Sequence, residues 1–214
     1  WVLRGLADVV LAGAGTVRAE GYRPTRARES WQALGLRSGR PDAPPLAVVS
    51  RSLELDPAAP FLAGAPPDAR TIVITCAAAP AARRAALASV ADVIVAGDTL
   101  VNLKDALAAL RDRGLGRVLC EGGPHLLGQL AAAGLLDELC LTIAPLLAGP
   151  GSPGIVSGAP FPAARPLRLA GVLEEDGTLF CRYTSPLRFC RRYRFRRRYG
   201  SAVTFRDGLV AAFR

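Results

Sequence analysis

Residues 120–130 read CEGGPHLLGQL: a carboxylate, two glycines and a proline ahead of an apolar helical repeat. The run before them, RVLC, is strand-like, so Glu121 is delivered to a strand's carboxyl end. Gly122 and Gly123 have no Cβ, and a ligand can approach their backbone closely. Pro124 suits the first position of a helix. The free N–H groups and positive dipole end of that helix make an anion site suited to a pyrophosphate. The same residues also serve a plain strand-to-helix turn, although Glu beside Gly-Gly is an unusual choice for one. A second glycine turn follows another apolar run, in AGAGTVRAEG (12–21). Gly13 and Gly15 precede Thr16, but Arg18 stands where the dinucleotide fingerprint needs its third glycine, and no acid follows at the expected spacing. That turn reads equally as a ligand loop and as a tight corner. His125 is the only histidine. At a helix N-terminus its neutral form is favoured, which suits a hydrogen bond to phosphate or ribose better than proton donation.

The elements that must position these residues follow from apolar patterning. ADVVLAG (7–13), PLAVVS (45–50), TIVITC (71–76), DVIVAG (92–97), RVLCEGG (117–123) and ELCLTIAP (138–145) read as strands. Between them, 81–90, 102–114 and 124–134 read as helices. Asn102 is a good N-cap, and Gly114 and Gly134 are good stops. Continuously apolar strands joined through helices imply a mostly parallel sheet covered on both faces. After residue 165 the pattern changes to a hairpin around Asp176-Gly177. The expected architecture is therefore α/β, a mixed, mostly parallel sheet with a C-terminal antiparallel hairpin. Residues 21–44 read as a long loop or a short helix with poorly defined ends, and long loops in compact domains are often functional.

The 214 residues suit one domain. The net charge of +9 points to nucleic acid only if it is spread over the chain. It is not: residues 1–184 hold 18 Lys+Arg against 17 Asp+Glu, whereas 185–214 hold 9 Arg against one acid, Asp207. The basicity belongs to a tail. Arginines interleaved with Tyr and Phe suit RNA, and a disordered or out-of-frame tail is the plainer reading. The five cysteines, Cys76, Cys120, Cys140, Cys181 and Cys190, have no CxxC spacing. That argues against a zinc site or a disulfide framework and fits a reducing cytoplasm. Residues 1–20 carry no signal-peptide pattern, and no apolar run is long enough to span a membrane.

ADVVLAGAGTVRAEGY together with VLCEGGPHLLGQLAAAGLLDELCLTIAPLLAG resembles the riboflavin-biosynthesis pyrimidine reductase family, the reductase half of bifunctional deaminase–reductases. The likeness covers about residues 1–184. It implies a dihydrofolate-reductase-like, three-layer α/β/α domain, usually a homodimer, that uses NADPH. The implied reaction reduces 5-amino-6-(5-phosphoribosylamino)uracil to its ribitylamino form. By position, the resemblance makes Thr16, Glu20, Ser50 and Arg51 cofactor contacts, with Arg51 suited to the 2′-phosphate. It implies the same role for the first glycine turn, Gly13 and Gly15. Gly122, Gly123, Pro124, His125, Leu126, Leu127 and Gly128 match the pyrophosphate loop. Glu20 replaces a more usual Asp, and His125 a more usual Thr. Arg4, Pro24 and Glu121 fall at substrate positions. Glu121 either assists the opened sugar imine or orients the sugar, and Arg4 faces the 5′-phosphate at the substrate's opposite end. A further substrate arginine is replaced by Ala27, flanked by Arg26 and Arg28.

The family begins with a strand, a turn and a helix ahead of Arg4, whereas this chain opens at Trp1, near the end of that helix, and contains no Met. The expectation is a fragment lacking a central strand. Residues 185–214 have no counterpart in the family and are expected to be dispensable. Two other readings stay open: a reductase of the same fold with another substrate, and an inactive fragment with an anion-binding tail.

Overall fold

All six apolar runs form strands, each within a few residues of its expected bounds. The computed structural model describes residues 1–147, 151, 154–186 and the backbone of 208–213. Strands β1 (Val9–Gly13), β2 (Leu46–Val49), β3 (Ile72–Thr75), β4 (Asp92–Val95) and β5 (Arg117–Cys120) are all parallel, in the spatial order β4-β3-β2-β1-β5. Alternate side chains feed two cores, one on each face. Val9, Leu11, Ile72 and Ile74 pack under α6 (Leu103–Asp112) and α7 (Pro124–Ala132). Val10, Ala12, Val48 and Val73 pack under α2 (Ala14–Ala19), α4 (Pro60–Ala63) and α5 (Ala81–Ala88). Burial on both faces is why these strands read as unbroken apolar runs.

The expected helix signals work as their chemistry requires. The Asn102 side chain accepts from the Lys104 and Asp105 amides at 3.0 and 3.3 Å, a cap worth about 1 kcal/mol. Pro124 opens α7, and Gly134 beyond its end has φ +68°. Residues 14–19, read as part of a turn, form α2, and α4 was not expected either. The first residues form α1 (Val2–Leu6), in keeping with a chain that starts near the end of a helix. In the 21–44 segment only Glu29–Ala33 is helical (α3). The rest is tied down by arginines. Arg37 donates to Pro41 O at 2.7 Å and also to Ala7 O, and Arg40 donates to Leu6 O at 2.9 Å and Asp8 at 3.0 Å. These bonds clamp the end of α1 and so hold Arg4 in place.

Beyond α7, strand β6 (Glu138–Ile143) pairs antiparallel with β8 (Thr178–Thr184), and β8 pairs with β7 (Arg168–Glu175). Asp176 and Gly177, both at positive φ, make the hairpin turn. The expected fold class therefore holds: helices on both sides of a mostly parallel sheet, with an antiparallel end. Part of the 185–214 tail contributes as well. Gly208–Phe213 forms β9, which lies parallel between β5 and β6 and joins the two parts into one nine-stranded sheet. The expectation of disorder elsewhere in the tail falls on 187–207 and 214, outside the described residues, as does Cys190.

Candidate functional site

The two glycine turns meet. Strand β5 pairs with β1, and the pairing continues past the strand ends: the Glu121 amide donates to Leu11 O at 2.9 Å and the Gly13 amide to Gly122 O at 2.8 Å. The Gly122–Gly123 peptide is cis, and Gly122 has φ +103°. Thr16, in the first turn of α2, closes over Gly123: a Cβ built there would lie 2.5 Å from the Thr16 hydroxyl oxygen. Only glycine permits this approach. Helix α7 starts directly after it, so its first amides open toward the same place.

Glu121 stands at the rim of this junction. Arg4 Nε donates to its Oε1 at 2.6 Å and Arg4 Nη2 to its Oε2 at 2.5 Å, a bidentate pair. The Tyr22 hydroxyl adds a third bond, to Oε2, at 2.9 Å. The bond to Glu121 raises the Arg4 pKa above its ordinary value despite partial burial. For Tyr22, burial first and the Glu121 charge second push the phenol upward. Arg4 and Glu121, expected to act on opposite ends of a substrate, are hydrogen-bonded to one another. Sequence reasoning had no means of seeing this, because 117 residues separate them. Tyr22 was missed for the same reason, lying 99 residues from Glu121.

The guanidinium of Arg28 sits 3.4 Å from the centroid of the Trp1 ring, and that of Arg4 sits 5.5 Å from the same centroid. Arg28 and Arg4 thus both stand against the Trp1 ring. Arg26 and Pro24 instead line an open cavity of about 480 Å³ between the 23–27 segment and α4, with Asp42, Asp68 and Gly64. Neither Glu121 nor the glycine turns line that cavity.

The remaining expected residues divide in two. Ser50 and Arg51 follow β2, whose Val49 is in register with Gly13, so they stand at the strand end next to the first glycine turn. Ser50 is buried and its Oγ accepts from the Leu53 amide at 3.1 Å, whereas Arg51 is exposed. Glu20 follows α2 and is exposed, and His125 is exposed in the first turn of α7. Leu126 and Leu127, by contrast, put their side chains into the core, and the Leu127 amide donates to Gly123 O at 3.1 Å. Gly128 lies directly under Ser157 O, whose own residue's amide bonds Pro124 O at 3.1 Å, so close packing of the 154–158 loop explains the missing side chain. Among the described residues no cluster of His, Cys, Asp and Glu could hold a metal ion, and no helix is long and apolar enough to cross a membrane.

Comparison with known proteins places this geometry among relatives. A family model described as the RibD C-terminal domain matches residues 2–178. The chain is 29% identical over 160 residues to a 2,5-diamino-6-ribosylamino-4(3H)-pyrimidinone 5′-phosphate reductase of Archaeoglobus fulgidus, covering 74% of this chain and 72% of that protein. It is 32% identical over 147 residues to the reductase of the same name from Methanothermobacter thermautotrophicus, covering 69% and 63%. Among solved structures, a pyrimidine reductase-like protein from Corynebacterium diphtheriae superposes with a TM-score of 0.75 at 31% identity, covering 86% of this chain and 77% of that one.

Proposed function

The chain belongs to the RibD C-terminal domain family, and from that membership we propose that it is a reductase of a 6-ribosylamino-pyrimidine 5′-phosphate, using NADPH and converting ribosyl to ribityl. The observation that carries this reading is the Arg4–Glu121 pair at the rim of two joined glycine turns. The residues present fit the dinucleotide. Gly123 leaves no room for a side chain beside Thr16, and a Cβ at Gly15 would meet nothing within 4 Å. The first turn is thus open to a pyrophosphate at Gly15, and the first amides of α7 add donors beside it.

In this reading Thr16, Gly13, Gly15, Gly122 and Gly123 hold the phosphates, with the free first-turn amides of His125 and Leu126. His125 and Glu20 flank them. Ser50 and Arg51, one strand away, face the 2′-phosphate, for which an exposed guanidinium is well suited. When bound, the nicotinamide supplies a hydride to the substrate. The chain's own groups orient the acceptor. Glu121 accepts from a ribosyl donor and either aligns the reacting carbon or assists proton movement at the opened imine. Arg4 fixes Glu121, and Arg4 and Arg28, both against the Trp1 ring, take the 5′-phosphate.

The resemblance favours the uracil substrate, whereas the curated relatives are named for the diamino-pyrimidinone. Nicotinamide absorbance with each substrate in turn separates them: the uracil compound is expected to turn over faster. A preference for the diamino compound would reassign the substrate, and NADPH binding without turnover of either would leave a same-fold reductase of something else. A homodimer in the cytoplasm completes the proposal. Its support is the exposed apolar set Leu169, Val172, Leu173 and Phe180 on the hairpin and the unpaired state of the four described cysteines. Light scattering checks the dimer.

A further inference from the structure

We propose that Tyr22 is a positioning residue of this site: its hydroxyl fixes Glu121 Oε2 so that the one acceptor position left for a ligand is on Oε1. A carboxylate offers about four acceptor positions. Arg4 Nε occupies one on Oε1, and Arg4 Nη2 and the Tyr22 hydroxyl occupy both on Oε2. The remaining one sets where a ribosyl hydroxyl or amine can bind.

Tyr22 is built for this task. Its ring packs against the core beneath α2, so the phenol oxygen has a fixed origin. The Tyr22 amide donates to Val17 O at 3.1 Å, which ties the residue to the end of α2. The ring also lies 5.6 Å from the Arg4 guanidinium carbon, bracing the other donor. The charged groups that act on it are Glu121 from β5, Arg4 from α1 and Glu20 from the end of α2. Burial and the two carboxylates keep the phenol protonated, and therefore a donor, far into the alkaline range.

The proposal rests on reading Glu121 as the substrate-facing carboxylate, and its test has one arm that needs no substrate. In the full chain labelled with 13Cζ-tyrosine, the Tyr22 resonance is identified by its loss in Tyr22→Phe. It is expected to titrate at lower pH in Glu121→Gln than in the parent. Identical titration in both would overturn the proposal, whatever the chain reduces. The second arm is a double-mutant cycle. Tyr22→Phe is expected to lower kcat/KM for the ribosylaminopyrimidine phosphate about tenfold, with KM for NADPH unchanged and no further loss in the Glu121→Gln background. Equal losses in both backgrounds would show that Tyr22 acts only on the fold. A parent chain without turnover would count against the proposed reaction and leave the resonance experiment to decide Tyr22.

Discussion

Strands β3 and β7 mark the two ends of one sheet and share almost nothing in environment. All four residues of β3 are buried, and all eight of β7 are exposed. The parallel half, β1 to β5, is covered by helices on both faces. Every residue of the junction at Glu121 hangs from that half or from a helix packed on it. The antiparallel end is held by backbone pairing and by the Arg182–Glu138 ion pair at 2.9 Å; Leu139 and Cys181 are buried there, but the apolar side chains of β7 remain at the surface. In the proposed function, chemistry that needs atoms fixed within fractions of an ångström sits on the part with two cores. The exposed end is the surface free to meet another molecule.

The boundary between the halves is the first place to break this comparison. Because β9 pairs with both β5 and β6, removing residues 207–214 is expected to cost several kcal/mol by denaturant unfolding. Each lost ladder bond contributes about 0.5–1.5 kcal/mol. Unchanged stability would return the segment to the dispensable tail that its composition describes. Next in size, Leu130→Ala in α7, at 0% exposure, should cost about 2–5 kcal/mol. Val172→Ala in β7, at 50% exposure, should stay within about 0.5 kcal/mol. Similar losses at both sites would mean that the hairpin is covered in solution.

A smaller effect concerns pH. Burial pushes the Cys120 thiol up to about 12. A group whose folded-state pKa is raised contributes stability that is present below its unfolded value, about 8.5, and is lost as pH rises toward the folded one. Stability is therefore expected to fall between about pH 9 and pH 12, and less steeply in Cys120→Ala. Cys140, also raised to about 12, has the same sign and keeps part of the slope in that variant. A parallel slope in parent and variant would remove Cys120 from the account.

What could be read from residues alone follows the same division. In the parallel half, burial on both faces prints itself as unbroken apolar runs, and Asn102, Pro124 and Gly134 mark helix ends by local chemistry. The Gly-Gly turn was legible because lacking a Cβ is itself a signal. The partners of Glu121 were not, since a bidentate bond between α1 and the end of β5 leaves no periodicity. Leu126, Leu127 and Gly128 matched a loop pattern by position, but the structure gives the two leucine side chains to the core and Gly128 to the 154–158 loop. Strand β9 was hidden because GLVAAF follows an arginine run whose composition dominates the segment.

The central claim is that the joined glycine turns hold a dinucleotide, and nicotinamide fluorescence with NADPH and NADH tests it most directly. The full chain is expected to bind NADPH more tightly than NADH, and Gly123→Val, whose side chain would enter the space of the Thr16 hydroxyl, is expected to lose at least tenfold in NADPH affinity while still unfolding cooperatively. Undiminished NADPH binding by a Gly123→Val protein that melts like the parent, or no binding by the parent at all, would contradict the account.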